Sequence, residues 1–273
     1  MKKLWAAFVA VILISFAVLG WAGVRIYQTQ PPVPDRVETA DGRVVIGDGG
    51  VAAGQDVWRA MGGMEVGSIW GHGSYVAPDW TADYLHREAL FVLDRWGGES
   101  FGAPYDRLDA ERQAQLRQRL QQVFRTNRYD AARRVLVVEP ERAAAFEAAV
   151  AHYGDVFSNG RTEYAIPAGA VTGDERLRHL TAFFFWSSWA ASTDRPGDTV
   201  TYTSNWPHEP LVGNRPTGEA IVWTGVSIIM LLGGIGVMAF WHATQQEEEP
   251  AAAPADDPLL GSRTTPSQRA PVK

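Results

Sequence analysis

Histidines are the side chains of this chain best suited to bind a metal or haem, because the sequence contains no cysteine. Without cysteine, the chain cannot form disulfides, thiolate metal sites, iron–sulfur clusters or thioether-linked haem. A helical metal site usually needs two ligands three or four residues apart. No two histidines have that spacing, so we predict no helical metal site. The histidines are His72, His86, His152, His179, His208 and His242.

Two of these histidines lie among residues that resemble a functional cluster. His72 lies in a glycine-rich loop, and we interpret it as a solvent-exposed loop residue, not an axial ligand. His86, Arg87 and Glu88 resemble a catalytic cluster, but successive helix residues point in different directions, so we predict a polar surface. The sequence contains no nucleophile elbow or phosphate-binding loop. Its formal charge of −6 argues against nucleic-acid binding.

The elements that would position these residues begin with a long apolar run at residues 4–24, preceded by Lys2 and Lys3. A signal peptide has an apolar core of about 7–15 residues, whereas a membrane-spanning helix needs about 20. We therefore predict a retained membrane anchor; the alternative is a cleaved signal. The lysines favour a cytoplasmic N-terminus, which places the following segment in the periplasm.

A second apolar run, residues 220–241, predicts another membrane-spanning helix. Its Gly233, Gly234 and Gly236 would allow close helix packing. Neither run has an ionisable residue in its interior, so we expect no membrane haem ligand in this chain. The predicted division is a first transmembrane helix (1–25), a periplasmic domain (26–218), a second transmembrane helix (219–242) and a disordered cytoplasmic tail (243–273).

The middle segment has a mainly helical pattern. Asp41-Gly42 predicts a hairpin within residues 36–46, and residues 135–138 form a β-prone run. The aromatic block at residues 183–186 predicts a buried core helix, or alternatively a surface that docks on a membrane partner. Helices are predicted at 81–96, where Gly97-Gly98 would end the helix, at 109–126, from Pro140 to about 157, and from a capping box of Thr172 and Glu175 to beyond Trp189.

The segment from Trp58 to Trp80 resembles the haem-attachment region of the small cytochrome c subunit of bacterial nitric oxide reductases. The family's Trp falls on Trp58, and its Gly-x-Gly-x-Tyr-x-Ala-Pro run falls on residues 71–78. Its Cys-x-x-Cys-His falls on residues 63–67, where Gly63, Val66 and Gly67 replace both cysteines and the axial histidine. The quinol-dependent enzymes show the same replacement. Residues 67–80, 85–88 and 205–214 also read like segments of those enzymes.

The resemblance implies a mainly α, haem-free, cytochrome c-like extracytoplasmic domain flanked by two transmembrane helices in the cell inner membrane. It also implies a multi-span catalytic partner that holds haem b, haem b3 and a non-haem iron, with membrane lipid around both. The family's calcium ion would take a carbonyl from Gly73 and the phenol of Tyr75. Oxygen ligands suit calcium, but two are too few without a partner.

We therefore expect a non-catalytic portion of a quinol-dependent nitric oxide reductase, which would cap the periplasmic face of the catalytic subunit. This chain itself would hold no haem. The alternative is a two-span extracytoplasmic sensor or ligand-binding protein. Residues 265–270 resemble the segment that leads into the next helix of those enzymes. The resemblance leaves two possibilities open, namely an enzyme split between two chains or a truncated copy.

Overall fold

Helices predominate in the computed structural model, which describes residues 2–73 and 77–248. The mainly α fold class is confirmed. The helices are α1 (Lys2–Thr29), α2 (Gly50–Ala60), α3 (Trp80–Phe101), α4 (Ala110–Arg125), α5 (Pro140–Asn159), α6 (Asp174–Ser192) and α7 (Gly218–Glu248). The strands are β1 (Arg36–Thr39), β2 (Val44–Ile46), β3 (Ser68–Ile69), β4 (His72–Gly73), β5 (Tyr129–Asp130) and β6 (Val135–Val138).

The first and last helices are long and apolar enough to cross a membrane. Their apolar parts are Trp5–Thr29 and Gly218–Thr244, with mean hydropathies of 2.4 and 2.1. Helix α7 continues to Glu248, beyond the predicted boundary at residue 242. Residues 249–273 of the predicted tail lie outside the described residues. Helix α7 belongs to a second compact unit that begins at Thr217.

A small sheet in the order β2-β1-β6-β5 lies beside the helices of the globular region. The predicted hairpin is confirmed: β1 and β2 pair antiparallel, and Gly42 has the positive φ of 85° that favours glycine in the turn. The predicted strand at residues 135–138 is also confirmed as β6. It pairs in parallel with β1, with Val37 opposite Leu136.

Helix α3 shows that the predicted stop at Gly97-Gly98 is wrong. The helix continues to Phe101 and ends at Gly102, which has a φ of 71°. Gly97 is instead needed where the chain returns to the helix, because a Cβ there would lie 2.6 Å from the carbonyl oxygen of Ala103. A glycine pair inside a helix can therefore mark a close backbone approach as well as a helix end.

Helix α6 packs against α2, α3 and α5 and carries the aromatic residues of the core. The prediction of a buried core helix is confirmed, since residues 180–192 are all buried. The predicted capping box is wrong: the helix begins at Asp174 after Gly173, and no side chain caps it. A second apolar cluster forms where α3 and α4 meet, around Leu93, Trp96 and Phe124.

Glu88 corrects the predicted polar surface at residues 86–88. His86 and Arg87 are exposed, but Glu88 lies on the inner face of α3 with Leu85 and Ala89. Its carboxylate accepts a hydrogen bond of 2.7 Å from Nε of Arg142 on α5. Leu85 and Val92, each about one turn from Glu88 on α3, are also buried and share its direction, which is why this residue points into the core.

Candidate functional site

Trp58 and the turn after it form the first half of the candidate site. Helix α2 ends at Ala60, and a 3-10 turn follows over Gly63–Val66. The indole of Trp58 is buried against Phe183 and Phe184 of α6, with ring centroids 6.4 and 5.8 Å away. The tryptophan of the motif is therefore part of an aromatic core.

Gly67 occupies the position that the resemblance gives to an axial histidine, and no side chain has room there. A Cβ on Gly67 would lie 2.1 Å from Nε1 of Trp80. That indole donates a hydrogen bond of 3.0 Å to the carbonyl of Val66 and stacks on Phe184 at 5.4 Å. The backbone of Gly67 has a φ of 132°, which only glycine adopts readily.

These residues do not fit a covalently attached haem. Gly63, Val66 and Gly67 offer no thioether sulfur or imidazole, and the side of Gly67 that would bear a ligand is occupied by an indole. Further rings pack around Trp80, so the aromatic side chains form one continuous cluster. Their members are Tyr153, Phe157, Tyr164 and Phe184.

Asp79 joins the glycine-rich loop to the start of α3. Its Oδ1 accepts a hydrogen bond of 2.8 Å from the amide of Ala82 and so caps the helix. Its Oδ2 accepts hydrogen bonds from Oγ of Ser68 at 2.7 Å and from the amide of Gly71 at 2.6 Å. Burial raises the pKa of the Asp79 carboxyl, and these hydrogen bonds oppose the rise.

Of the two predicted calcium contacts, Gly73 and Tyr75, the structure describes Gly73 alone. Gly73 lies on β4 with a φ of 147°, and a Cβ there would lie 2.3 Å from the carbonyl oxygen of Gly67. Tyr75 lies outside the described residues. Within the described residues, no group of three or more His, Cys, Asp or Glu side chains is placed to hold a metal. The calcium contact therefore stays a prediction.

The segment at residues 205–214 folds back on the same loop, which the sequence did not predict. Gly71 lies against the backbone of Trp206, and a Cβ on Gly71 would lie 3.0 Å from Cβ of Trp206. His86 contacts Glu209 of this segment through Nδ1 at 2.8 Å. The signal in the sequence was the concentration of Asn, Pro and Gly in these ten residues, which is typical of an ordered turn.

The fold and site are those of a mainly helical domain that follows an apolar helix long enough to cross a membrane. At its haem-attachment positions the segment offers neither a thioether sulfur nor an imidazole. The sequence profile of the NorB-type cytochrome c-like domain of nitric oxide reductases matches residues 34–208. The chain belongs to this family, which confirms the resemblance found in the sequence. A comparison with curated proteins gives no match. The two apolar helices that precede and follow the domain in the sequence fit a membrane protein.

Proposed function

We propose that this chain is the non-catalytic, membrane-anchored portion of a quinol-dependent nitric oxide reductase. The reaction converts two nitric oxide molecules and one quinol into nitrous oxide, water and quinone. The chain would cap the periplasmic face of a multi-span catalytic subunit. Haem b, haem b3 and the non-haem iron of that partner would supply the redox chemistry.

The observation that carries this proposal is the contact between Gly67 and Trp80. A cytochrome subunit that passes electrons needs an iron ligand at this position, and here the indole fills the space. Trp58 and Trp80, the tryptophans on either side of this segment in the sequence, are nevertheless buried in the core of the domain. The fold is therefore kept without the electron-transfer group, which supports a role in assembly and in covering the partner.

The membrane arrangement is part of this proposal. Lys2 and Lys3 are the first residues of α1 and lie before its apolar part, where they favour a cytoplasmic N-terminus. This would place the globular region in the periplasm and the end of α7 in the cytoplasm. The calcium contact through Gly73 and Tyr75 also belongs to the proposal. It would form only when the partner adds further oxygen ligands, because calcium takes about six to eight.

The proposal predicts that the purified chain has no c-type haem but binds a haem-containing partner. The tagged full chain would be produced with cytochrome c maturation proteins and assayed by the pyridine haemochrome method. We expect no c-type band, whereas a c-type cytochrome produced in the same cells shows one. When the chain is purified in mild detergent from membranes that contain the catalytic subunit, we expect b-type haem and quinol-dependent reduction of nitric oxide.

Two results would contradict this function. Stoichiometric c-type haem on the isolated chain would mean that the domain carries electrons. Purification from such membranes without any b-type haem protein would remove the assembly role and favour the sensor alternative.

Helix α7 leads to a second prediction, because glycines along it leave part of its surface without side chains. Gly233, Gly234 and Gly236 have no neighbour within 4 Å of an added Cβ. In lipid, close backbone approach supplies much of the attraction between helices. Gly233 and Gly236 lie one turn apart on the same side of α7, so we expect the face that carries these two glycines to contact the catalytic subunit. Replacing Gly233 and Gly236 by leucine should release the partner in detergent.

The matched control is Met238→Phe, which adds bulk on another side of the same helix. Turning by about 100° per residue places Met238 roughly opposite to Gly236. Co-purification should survive this change. Equal recovery of the partner with the wild-type chain and with the double leucine variant would show that the glycines face lipid.

A further inference from the structure

Trp206 is an exposed tryptophan in a domain that otherwise covers its indoles. Its relative exposure is 70%. Its ring nitrogen donates no hydrogen bond to any residue that the structure describes. The other tryptophans of the globular region are at least partly buried; they are Trp58, Trp70, Trp80, Trp96, Trp186 and Trp189.

The segment that carries Trp206 is held by buried polar side chains. Asn214 is 1% exposed, and its side-chain oxygen accepts a hydrogen bond of 2.8 Å from the amide of Glu209. Its side-chain nitrogen donates to Oδ1 of Asn205 at 2.6 Å and to the carbonyl of Ala191 on α6 at 3.0 Å. Asn214 therefore ties both ends of the segment to the core.

Glu209 and Asn205 complete this arrangement. Glu209 is 5% exposed; it accepts from the amide of Leu211 through Oε1 at 2.9 Å and contacts His86 through Oε2 at 2.8 Å. Asn205 donates to the carbonyl of Pro207 at 2.6 Å, directly across Trp206. Burying polar groups is costly unless they are hydrogen-bonded, and here they are bonded to each other and to the backbone. The segment therefore has one defined conformation, with its indole outside.

The glycine-rich loop packs against the backbone of Trp206. Gly71 has a φ of 77° and lies so close that a Cβ would be 3.0 Å from Cβ of Trp206 and 3.2 Å from its amide nitrogen. The amide of Gly71 is itself fixed by Asp79. The position of the Trp206 backbone is therefore fixed by contact with the glycine-rich loop, which carries the family's motif.

The chain leaves the membrane anchor, helix α1, close to the loop that contacts Trp206. Helix α1 ends at Thr29, and soon afterwards the carbonyl of Pro32 accepts a hydrogen bond of 2.9 Å from the indole of Trp186. Trp186 packs on Trp70 with ring centroids 5.5 Å apart, and Trp70 directly precedes Gly71. A chain of contacts thus joins the end of the anchor to Trp206 within one compact unit.

We propose that Trp206 is the anchor residue through which this domain docks on the outer surface of the catalytic subunit. The inference rests on the proposed function and adds the contact that would carry it. The partner site would be an apolar pocket with an acceptor for the indole N–H. Tryptophan is common among the few residues that supply most of the binding energy of a protein interface. A side chain already held in its bound position before association loses less entropy on binding.

A protein pocket explains the rigid segment better than lipid does. Insertion of an indole among lipid headgroups needs no fixed backbone, because the attraction is non-directional and the lipids are fluid. A complementary pocket, in contrast, rewards a side chain whose position is already set. Buried Glu209 and Asn214 set that position here.

The test compares three full-length variants in detergent for binding to the purified catalytic subunit. We expect Trp206→Ala to weaken binding and raise the dissociation constant at least about 30-fold. Trp206→Phe should have a smaller effect, because it keeps a ring. Val44→Ala is the matched control: Val44 is also an exposed apolar side chain, 49% exposed, but lies on β2. Near-ultraviolet circular dichroism should show that all three variants keep the fold.

A second measurement separates protein from lipid. Trp206→p-benzoylphenylalanine in the full chain, irradiated in membranes that contain the catalytic subunit, should crosslink to that subunit, and the same substitution at Val44 should not. Crosslinks to lipid alone, or wild-type affinity of Trp206→Ala, would overturn the docking role while leaving the proposed function intact. Failure of the wild-type chain to bind the catalytic subunit would overturn both.

Discussion

Replacing Gly67 by alanine is expected to lower the free energy of unfolding of the domain by about 2–6 kcal/mol. Backbone angles that only glycine adopts readily cost a larger residue about 1–3 kcal/mol, and overpacking a core costs about 1–3 kcal/mol more. Both penalties apply, because Gly67 has a φ of 132° and its added Cβ would meet Trp80 at 2.1 Å. Thermal unfolding of the detergent-solubilised chain, followed by near-ultraviolet circular dichroism, measures the change.

Two comparisons make this prediction specific. Gly98→Ala is the matched control, because Gly98 lies within α3 with open space around it; alanine there should stabilise the domain by about 0.5–1 kcal/mol. Trp80→Phe should cost less in the Gly67→Ala background than in the wild type, since the shorter ring relieves part of the clash. A Gly67→Ala variant as stable as the wild type would contradict the packed contact and would leave room for a ligand.

The sequence was most informative where the signal is local. Asp41-Gly42 predicted the hairpin because the turn needs glycine at a positive φ, and both strands lie next to it in the chain. The pattern of residues 135–138 also predicted β6. It did not predict that β6 pairs in parallel with β1, because that pairing depends on contacts between distant parts of the chain.

Other predictions failed because two physical causes produce the same residue type. Gly97 looked like a helix stop, but it is needed for the close approach of the Ala103 carbonyl. Glu88 looked like a surface charge, because its partner Arg142 lies on a different helix. Thr172 has the residue type of a helix cap, yet the helix begins after Gly173.

The candidate site was predictable as a location but not as a packing arrangement. The missing cysteines and histidine at Gly63, Val66 and Gly67 are visible in the sequence alone. The indole of Trp80 against Gly67 is not, because it depends on how α3 leaves the loop. The segment around Trp206 was noticed only as a family resemblance, and its hydrogen bonds explain why it has its composition.

The ion pair between Glu88 and Arg142 leads to the second large expected effect. The carboxylate and guanidinium side chains are only 1% and 3% exposed, and they lie 2.7 Å apart. Arg142 also lies over the ring of Phe124 at 4.3 Å. Removing one partner of a buried pair leaves an uncompensated charge, which costs about 3–5 kcal/mol. We therefore expect a loss of this size for Arg142→Met, measured by the same unfolding assay.

The pH dependence of Arg142→Met distinguishes a buried charge from lost packing. Burial raises the pKa of Glu88 above its usual value of 4.5, and Arg142 opposes the rise. Without Arg142 the pKa should rise further, so the native state binds a proton more tightly than the unfolded state. Stability then falls as pH rises from 4.5 through the raised pKa. Arg142→Met should therefore regain stability on acidification more steeply than the wild type.

The double variant Glu88→Leu with Arg142→Met completes the test. Because it removes both charges and keeps apolar bulk, it should be more stable than Arg142→Met alone and should lose the extra pH dependence. If the single and double variants were equally destabilised at every pH, the loss would come from packing around Phe124. The pair would then contribute no buried charge. The expected result instead assigns to Glu88 and Arg142 an electrostatic link between α3 and α5, the helices whose ends adjoin the glycine-rich loop and β6.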